Sequence, residues 1–360
     1  MAVIKTFSLS LIALFIIYTC GHAQNIKTIA GTGKKGSMDG PALEADLNNP
    51  FGVIMDSNGN LWFCEYDGHT VRKMDPNGMI TTVVGTGEAG YYGDGGPAIE
   101  AKLNKPHEIR FDDNEEYLYI ADMGNHAIRR VDMSTGKIFT FAGTGKSGFS
   151  GDGGSASQAA LNQPHSIQFG PQHHLYIADI GNNRLRVINI ESGIITTLAG
   201  NGEKGPTPDG AKFADVPLNG PRSLDFDHNG DLWLVLREGN QVFRLSLTSG
   251  RIYHVAGTGA RGNTGNGADA RKATLSGPKG IAVSPDGDVY IVDTESHTIR
   301  KINNRNGTID LVVGTGEAFD GKDGDPLQCG LARPHGIFVD GNGLVYIGDS
   351  DNHRIRVYQP

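Results

Sequence analysis

The chain has 360 residues, with 40 acidic against 32 Lys and Arg side chains and a formal net charge of −8. That balance opposes phosphate-backbone binding as a general function, so nucleic acid is not an expected partner. The 52 glycines suit many tight turns and disfavour long helices.

The first 23 residues differ from the rest. Lys5 is followed by a mostly apolar, uncharged run from Leu9 to Tyr18. It is too short to span a bilayer but has the length of a signal-peptide core. Gly21-His22-Ala23 places small residues at −3 and −1, which predicts cleavage before Gln24. Lipidation at Cys20 is the rival reading, though Thr19 fits the usual lipobox poorly. Either route exports the chain, to the periplasm, the medium or the outer membrane, and no transmembrane segment is expected.

From Asn25 onward the chain repeats. The phrase Leu161 to Ile167 (LNQPHSI) recurs as Leu47 to Val53, Leu103 to Ile109, Leu218 to Leu224, Leu275 to Ile281 and Leu331 to Ile337. Its prolines, Pro50, Pro106, Pro164, Pro221, Pro278 and Pro334, are 56 to 58 residues apart. A fixed period of this size signals stacked or circular supersecondary units. Each unit carries a loop of some twenty residues, the Leu-x-x-Pro phrase, an alternating strand, an Asn/Asp/Gly turn, an apolar strand such as Leu175 to Asp179, a second turn and a third strand. An Ile-x-Thr strand ending in Gly-x-Gly closes it. Four short strands per unit joined by hairpin-type turns describe one propeller blade.

The sixth unit ends at Arg354 to Tyr358 without a fourth strand, while Asn25 to Ala30 is a surplus strand at the start. Pairing the two closes the ring and leaves no open edge at the seam. The predicted fold is therefore an all-β, six-bladed β-propeller occupying residues 24–360 as one domain, closed by its N-terminal strand. The stretches Ala121 to Ile128, Ala178 to Leu185, Val292 to Ile299 and Gly348 to Ile355 resemble the signature of NHL repeats. The first unit departs with Glu65 in the Asp slot, and the fourth reads Val235-Leu236-Arg237-Glu238-Gly239-Asn240. The resemblance speaks for fold and says little about activity.

Several motifs reduce to structure. Gly85 to Gly90 matches GxGxxG but opens no helix, so its glycines are assigned to turn geometry. Gly93-Asp94-Gly95-Gly96 and Gly151-Asp152-Gly153-Gly154 look like calcium-loop fragments, yet one carboxylate per loop is thin for calcium. An Asx-turn is the preferred reading. The repeated Asp122, Asp179, Asp293 and Asp349 are read as turn-capping acceptors. Cys64 and Cys329 fall in slots that hold small, mostly apolar residues in the other units, so they are expected to be buried and unpaired.

The residue after each proline varies informatively: Phe51, His107, His165, Arg222, Lys279 and His335. In a propeller the first strand of each blade is innermost, so these six side chains should converge at one mouth of the central channel. Strand alternation puts them on the face of Ile109, Ile167 and Ile281, and only their place at the strand's start lets them reach the mouth. Three histidines at one ring position can supply a three-nitrogen site for a divalent metal, zinc or manganese. Arg222, Lys279 and Arg237 would clamp a carboxylate or similar anion, and Glu108 or Glu238 are the proton-transfer candidates. The ring also resembles that of the peptidyl-hydroxyglycine amidating lyases, through Pro106-His107, Pro164-His165 and Pro334-His335. In that family three Pro-His histidines hold a zinc, but from alternate blades, whereas here they fall in the second, third and sixth.

Two functions follow. One is a metal-dependent lyase or hydrolase acting on a small anionic or carbohydrate-like substrate. The other is a non-catalytic propeller, expected to be monomeric, that presents its loop face to a protein or glycan.

Overall fold

The computed structural model describes residues 24–360. The expected signal peptide and Cys20 lie outside the described residues. Six antiparallel sheets form six blades. The inner strands Pro50–Met55, Pro106–Phe111, Pro164–Gly170, Pro221–Phe226, Gly280–Val283 and Ile337–Val339 each touch the next, and the last touches the first. The ring is closed as the sequence predicts. Asn25–Ala30 pairs antiparallel with Arg354–Gln359 and completes the sixth blade. Blades one, three and five gain a further two-residue strand from the long loop, at Gly40–Pro41, Gly154–Ser155 and Ala268–Asp269.

The apolar core lies between blades, not within them. Ile54, Trp62, Cys64 and Val71 of blade one pack on Ile109, Leu118, Ile120 and Ile138 of blade two. The same arrangement recurs around the ring, and at the seam Tyr346 and Ile355 meet Val53, Leu61 and Phe63. Side chains such as Ile109 and Ile167 are fully buried, and each contributes roughly 1.5–3 kcal/mol by leaving water. Both cysteines are buried and free, as their slots suggest.

A second, polar layer fixes each blade. In blade two Asp122 accepts from the Asn104 backbone N–H at 2.7 Å and from Asn125 Nδ2 at 2.7 Å. It also faces the wholly buried Arg129, whose other Nη donates to Asp94 at 2.7 Å. Arg72, Arg186 and Arg356 repeat the pairing with Glu65, Asp179 and Asp349. The repeated acids are thus structural: each of Asp122, Asp179 and Asp349 ties the Asn side chain of its own turn to the backbone N–H of a loop 17 or 18 residues away. The loop acids depart from the Asx-turn expectation. Asp94 and Asp152 anchor the loop by receiving the guanidinium of the buried arginine. Blade four has neither partner: Leu236 and Phe243 stand in the acid and arginine slots and join the apolar core.

Blades are also latched through the signature turn. Its last residue is left-handed in every blade, His69, His126, Asn183, Asn240, His297 and His353, with φ between 48° and 56°. In five cases its side chain accepts the backbone N–H just before the proline of the next blade. The bonds are Lys105 N to His69 Nδ1, Gln163 N to His126 Nδ1, Gly277 N to Asn240 Oδ1, Arg333 N to His297 Nδ1 and Asn49 N to His353 Nδ1, all 2.8–3.2 Å. Gly85, in the Gly-x-Gly that follows, has φ 93°, and a Cβ there would lie 2.4 Å from the His69 carbonyl oxygen. The glycine phrase is turn geometry, as read from the sequence.

Candidate functional site at the channel mouth

The six post-proline residues do converge. Alternation alone would turn them into the inter-blade core, but the chain adds an irregularity. In blades one to four the inner-strand register shifts just past the proline, between Pro50 and Val53, Pro106 and Glu108, Pro164 and Ser166, and Pro221 and Ser223. A bulge of this kind re-aims one side chain without disturbing the strand beyond it. The residue before each proline has positive φ, 41–61° at Asn49, Lys105, Gln163 and Arg333, with Gly220 and Gly277 in the remaining blades. The long loops and the signature turns meet on this face, through Gly124 N to Asn104 O at 2.8 Å and Arg237 N to Gly220 O at 2.8 Å.

Around the ring, Phe51 stacks on His335 with centroids 3.9 Å apart and meets His107 edge-on at 5.0 Å. His107 lies 4.5 Å from the His165 ring. Arg222 and Lys279 complete the circle, Lys279 Nζ donating to His335 Nε2 at 3.3 Å and to Glu295 at 2.7 Å. Above the ring opens a cavity of about 410 Å³ lined by Phe51, Tyr66, His165, Arg222, Arg237 and Lys279, among others. Below it a space of about 20 Å³ is bounded by His107, Glu108, Arg110 and Ser223.

Electrostatics set the character of the mouth. Arg222 is only 6% exposed, and among the described residues it has no ion-pair partner; its Nε makes no hydrogen bond. Burial, then the nearby Arg237 guanidinium, bring its pKa down to about 9. Burial likewise brings Lys279 to about 7, against the pull of Glu295. Glu295, shared by Arg333 and Lys279, is held down at about 2 despite partial burial. All three ring histidines are driven well below the ordinary value, first by burial and then by neighbouring cations. They are neutral at pH 7.

The other candidates stand apart. Glu108 is below the ring, paired with Arg110, and burial raises its pKa. Glu238 and Arg237 pair with each other at 2.8 Å on the rim.

The arrangement does not fit the expected three-histidine metal centre. Ser350 Oγ donates to the Pro50 carbonyl at 2.7 Å, so His335 Nδ1–H donates to Ser350 Oγ at 3.1 Å. The remaining lone pair, on Nε2, faces the Lys279 ammonium. His165 Nδ1 donates to the Gln163 carbonyl at 2.7 Å, which leaves only its Nε2 as an acceptor. Among the described residues no three His, Cys, Asp or Glu side chains stand close enough to share an ion.

Part of the mouth escaped the sequence reading. Tyr66 and Met123 occupy the slot after the repeated acid, where the sequence marks only Arg237, and Asn49, Gln163 and Arg333 occupy another, the residue before the proline. Both slots were visible in the repeat, but no chemical pattern marked them.

Comparison with known proteins decides the family. The teneurin NHL domain model matches residues 19–92 and 257–330, and the NHL repeat model matches residues 331–358. NHL repeat-containing protein 2 of Gallus gallus is 31% identical over 285 residues, covering 71% of this chain. The chain belongs to the NHL-repeat β-propeller family. This NHL propeller spans 38% of the length of that relative. Among solved structures, a protein of unknown function from Bacteroides thetaiotaomicron superposes with a TM-score of 0.71 at 19% identity, covering 93% of this chain and 76% of that one. An auxiliary nutrient binding protein of the same organism gives 0.69 at 17% identity, with coverages of 93% and 76%. These likenesses show the propeller fold. Among the described residues no helix is long and apolar enough to cross a membrane.

Proposed function

We propose that this NHL propeller is an exported binding protein whose channel mouth receives a small carboxylate-bearing anion. The observation that carries this reading is Arg222, a buried guanidinium without an acid partner among the described residues, set in the wall of an open cavity beside Lys279 and Arg237. A buried unpaired charge is costly. A carboxylate docking there gains two charge-assisted hydrogen bonds to a planar fork, with ammonium and guanidinium groups alongside. Neutral His165 and the Phe51–Tyr66 stack, with centroids 4.5 Å apart, supply an apolar and hydrogen-bonding wall for the rest of the ligand. The apolar run from Leu9 to Tyr18 supports export.

The test is calorimetric titration of a panel of small carboxylic and sugar acids, each beside its neutral amide, against the wild type and Arg222→Met. The acids alone should bind, and only to the wild type. Equal binding of acid and amide, or binding unaffected by the substitution, would sink the reading.

A metal-assisted lyase or hydrolase is the second reading. It rests on His107, whose two buried ring nitrogens have no partner among the described residues, next to the Nε2 lone pair of His165. It requires His335 to leave Phe51 and Lys279, or another donor to replace it.

A further inference from the structure

The mouth does not end at its own rim. A second cavity of about 340 Å³ adjoins it between blades four and five, lined by Arg237, Glu238, Asn240, Arg261, Gly277 and Glu295. Arg237 lines both spaces, so its side chain forms the sill between them. Pairing of the charges separates the two cavities' cations into two groups. Lys279 and Arg333 share Glu295, Arg333 also reaches Asp351, and Arg237 holds Glu238. Two guanidinium groups are left among the described residues, one in each cavity. Arg222 has no acid partner, and Arg261 makes a single side-chain bond, from Nε to Ser276 Oγ at 2.8 Å.

That single bond matters. Ser276 is buried, and its own N–H is tied to Asp293 at 2.6 Å, so the hydroxyl is a fixed post. It holds the exposed Arg261 side chain at Nε and, among the described residues, leaves both Nη groups without a hydrogen-bond partner. A long flexible side chain normally loses rotamer freedom when it meets a ligand, and the bond to Ser276 lessens that loss.

From this pairing pattern we infer that the ligand is a small dianion, with one carboxylate on Arg222 inside the mouth and a second on Arg261 in the adjoining cavity, its backbone crossing beneath Arg237. The inference rests on the anion-binding reading of the mouth and extends it from one charge to two. A single carboxylate satisfies Arg222 and leaves Arg261 to water. A second one, tethered to the first, binds at the high effective concentration set by the link. The Arg237–Glu238 pair on the sill is half exposed and can yield without leaving a buried charge.

The experiment is a calorimetric series of straight-chain α,ω-dicarboxylates from succinate to sebacate, each beside the monocarboxylate of equal length, on the wild type and Arg261→Ala. Affinity should pass through a maximum at one chain length and exceed the matching monocarboxylate there by about tenfold or more. Arg261→Ala should abolish that maximum and leave monocarboxylate binding unchanged, since the residue lies on the surface and outside the mouth. Arg261→Lys should restore part of it. Dicarboxylates no tighter than monocarboxylates at every length, or an Arg261→Ala loss equal for both, would overturn the dianion while the mouth's anion reading stands. Absence of binding by either series overturns both.

Discussion

Replacing Arg222 by methionine should make the protein more stable while removing its ligand. The guanidinium is held down from an ordinary 12.5 to about 9, first by burial and then by Arg237. A depressed value on a basic group means the folded state holds that proton less readily than the unfolded chain. The cost is therefore present throughout the physiological range and is relieved only as pH rises through about 9. Converted directly, the difference is a ceiling of about 5 kcal/mol. Relaxation and water entry from the open cavity reduce it, and methionine retains most of the side chain's apolar contacts, so we expect a net gain of about 1–3 kcal/mol. For a chain of this size that is a rise in Tm of roughly 1–4 °C. Thermal and urea unfolding at pH 7, with no added carboxylate, measure it. Arg222→Lys, which keeps the charge, should leave stability nearly unchanged and weaken binding. A methionine variant that melts below the wild type would show that the guanidinium is not strained, and the central argument for a ligand at the mouth would fail.

Three further outcomes are expected. Acidification below pH 6.5 should destabilise the ring: His69, His126, His297 and His353 accept hydrogen bonds at Nδ1 and are held below their ordinary value mainly by burial. The unfolded chain then binds more protons than the folded one as pH falls, and urea midpoints measured between pH 5 and 8 should drop on the acid side. If replacing all four by glutamine leaves that acid slope intact, the latches are not its source. In blade two, Asp122→Leu and Arg129→Phe should each cost about 3–5 kcal/mol, but together distinctly less than their sum, because blade four already carries the apolar pair; strict additivity in a denaturation cycle would contradict the pairing. Dialysis against zinc or manganese should leave no stoichiometric metal on the protein by elemental analysis, whereas one ion per chain, lost in His165→Ala, would favour the lyase or hydrolase reading.

The blade count, the closing strand and the six ring residues were legible because each depends on the period of the repeat, which one sequence displays six times over. The bulge that turns His107, His165 and Arg222 toward the axis was not, since it adds no distinctive residue and only breaks a register. The buried arginines were legible in principle. Each lies seven positions beyond its acid, as in Asp122 and Arg129 or Asp349 and Arg356, and where Leu236 replaces the acid Phe243 replaces the arginine. Read slot by slot, the acids point to turn caps, and the arginines carry no signal of their own. The loss of the metal set has a different cause. Spacing placed three histidines on one circle, but lone pairs follow from tautomers, and Ser350 and Lys279 fix those of His335 from residues far along the chain.

The clasp between Asn25–Ala30 and Arg354–Gln359 makes the first described strand a partner of the last. Ring closure therefore cannot be completed progressively as the chain is synthesised. Five blades can form in order, each sealing against its predecessor, while the opening strand waits for its ladder partner. Ile26 can bridge to the Gly324 backbone of the preceding loop, but its ladder partner is Tyr358, and the seam core of Tyr346, Ile355 and Val53 closes only when that strand arrives. A chain truncated within its last blade would therefore be an open arc, with an exposed sheet edge free to pair with another chain.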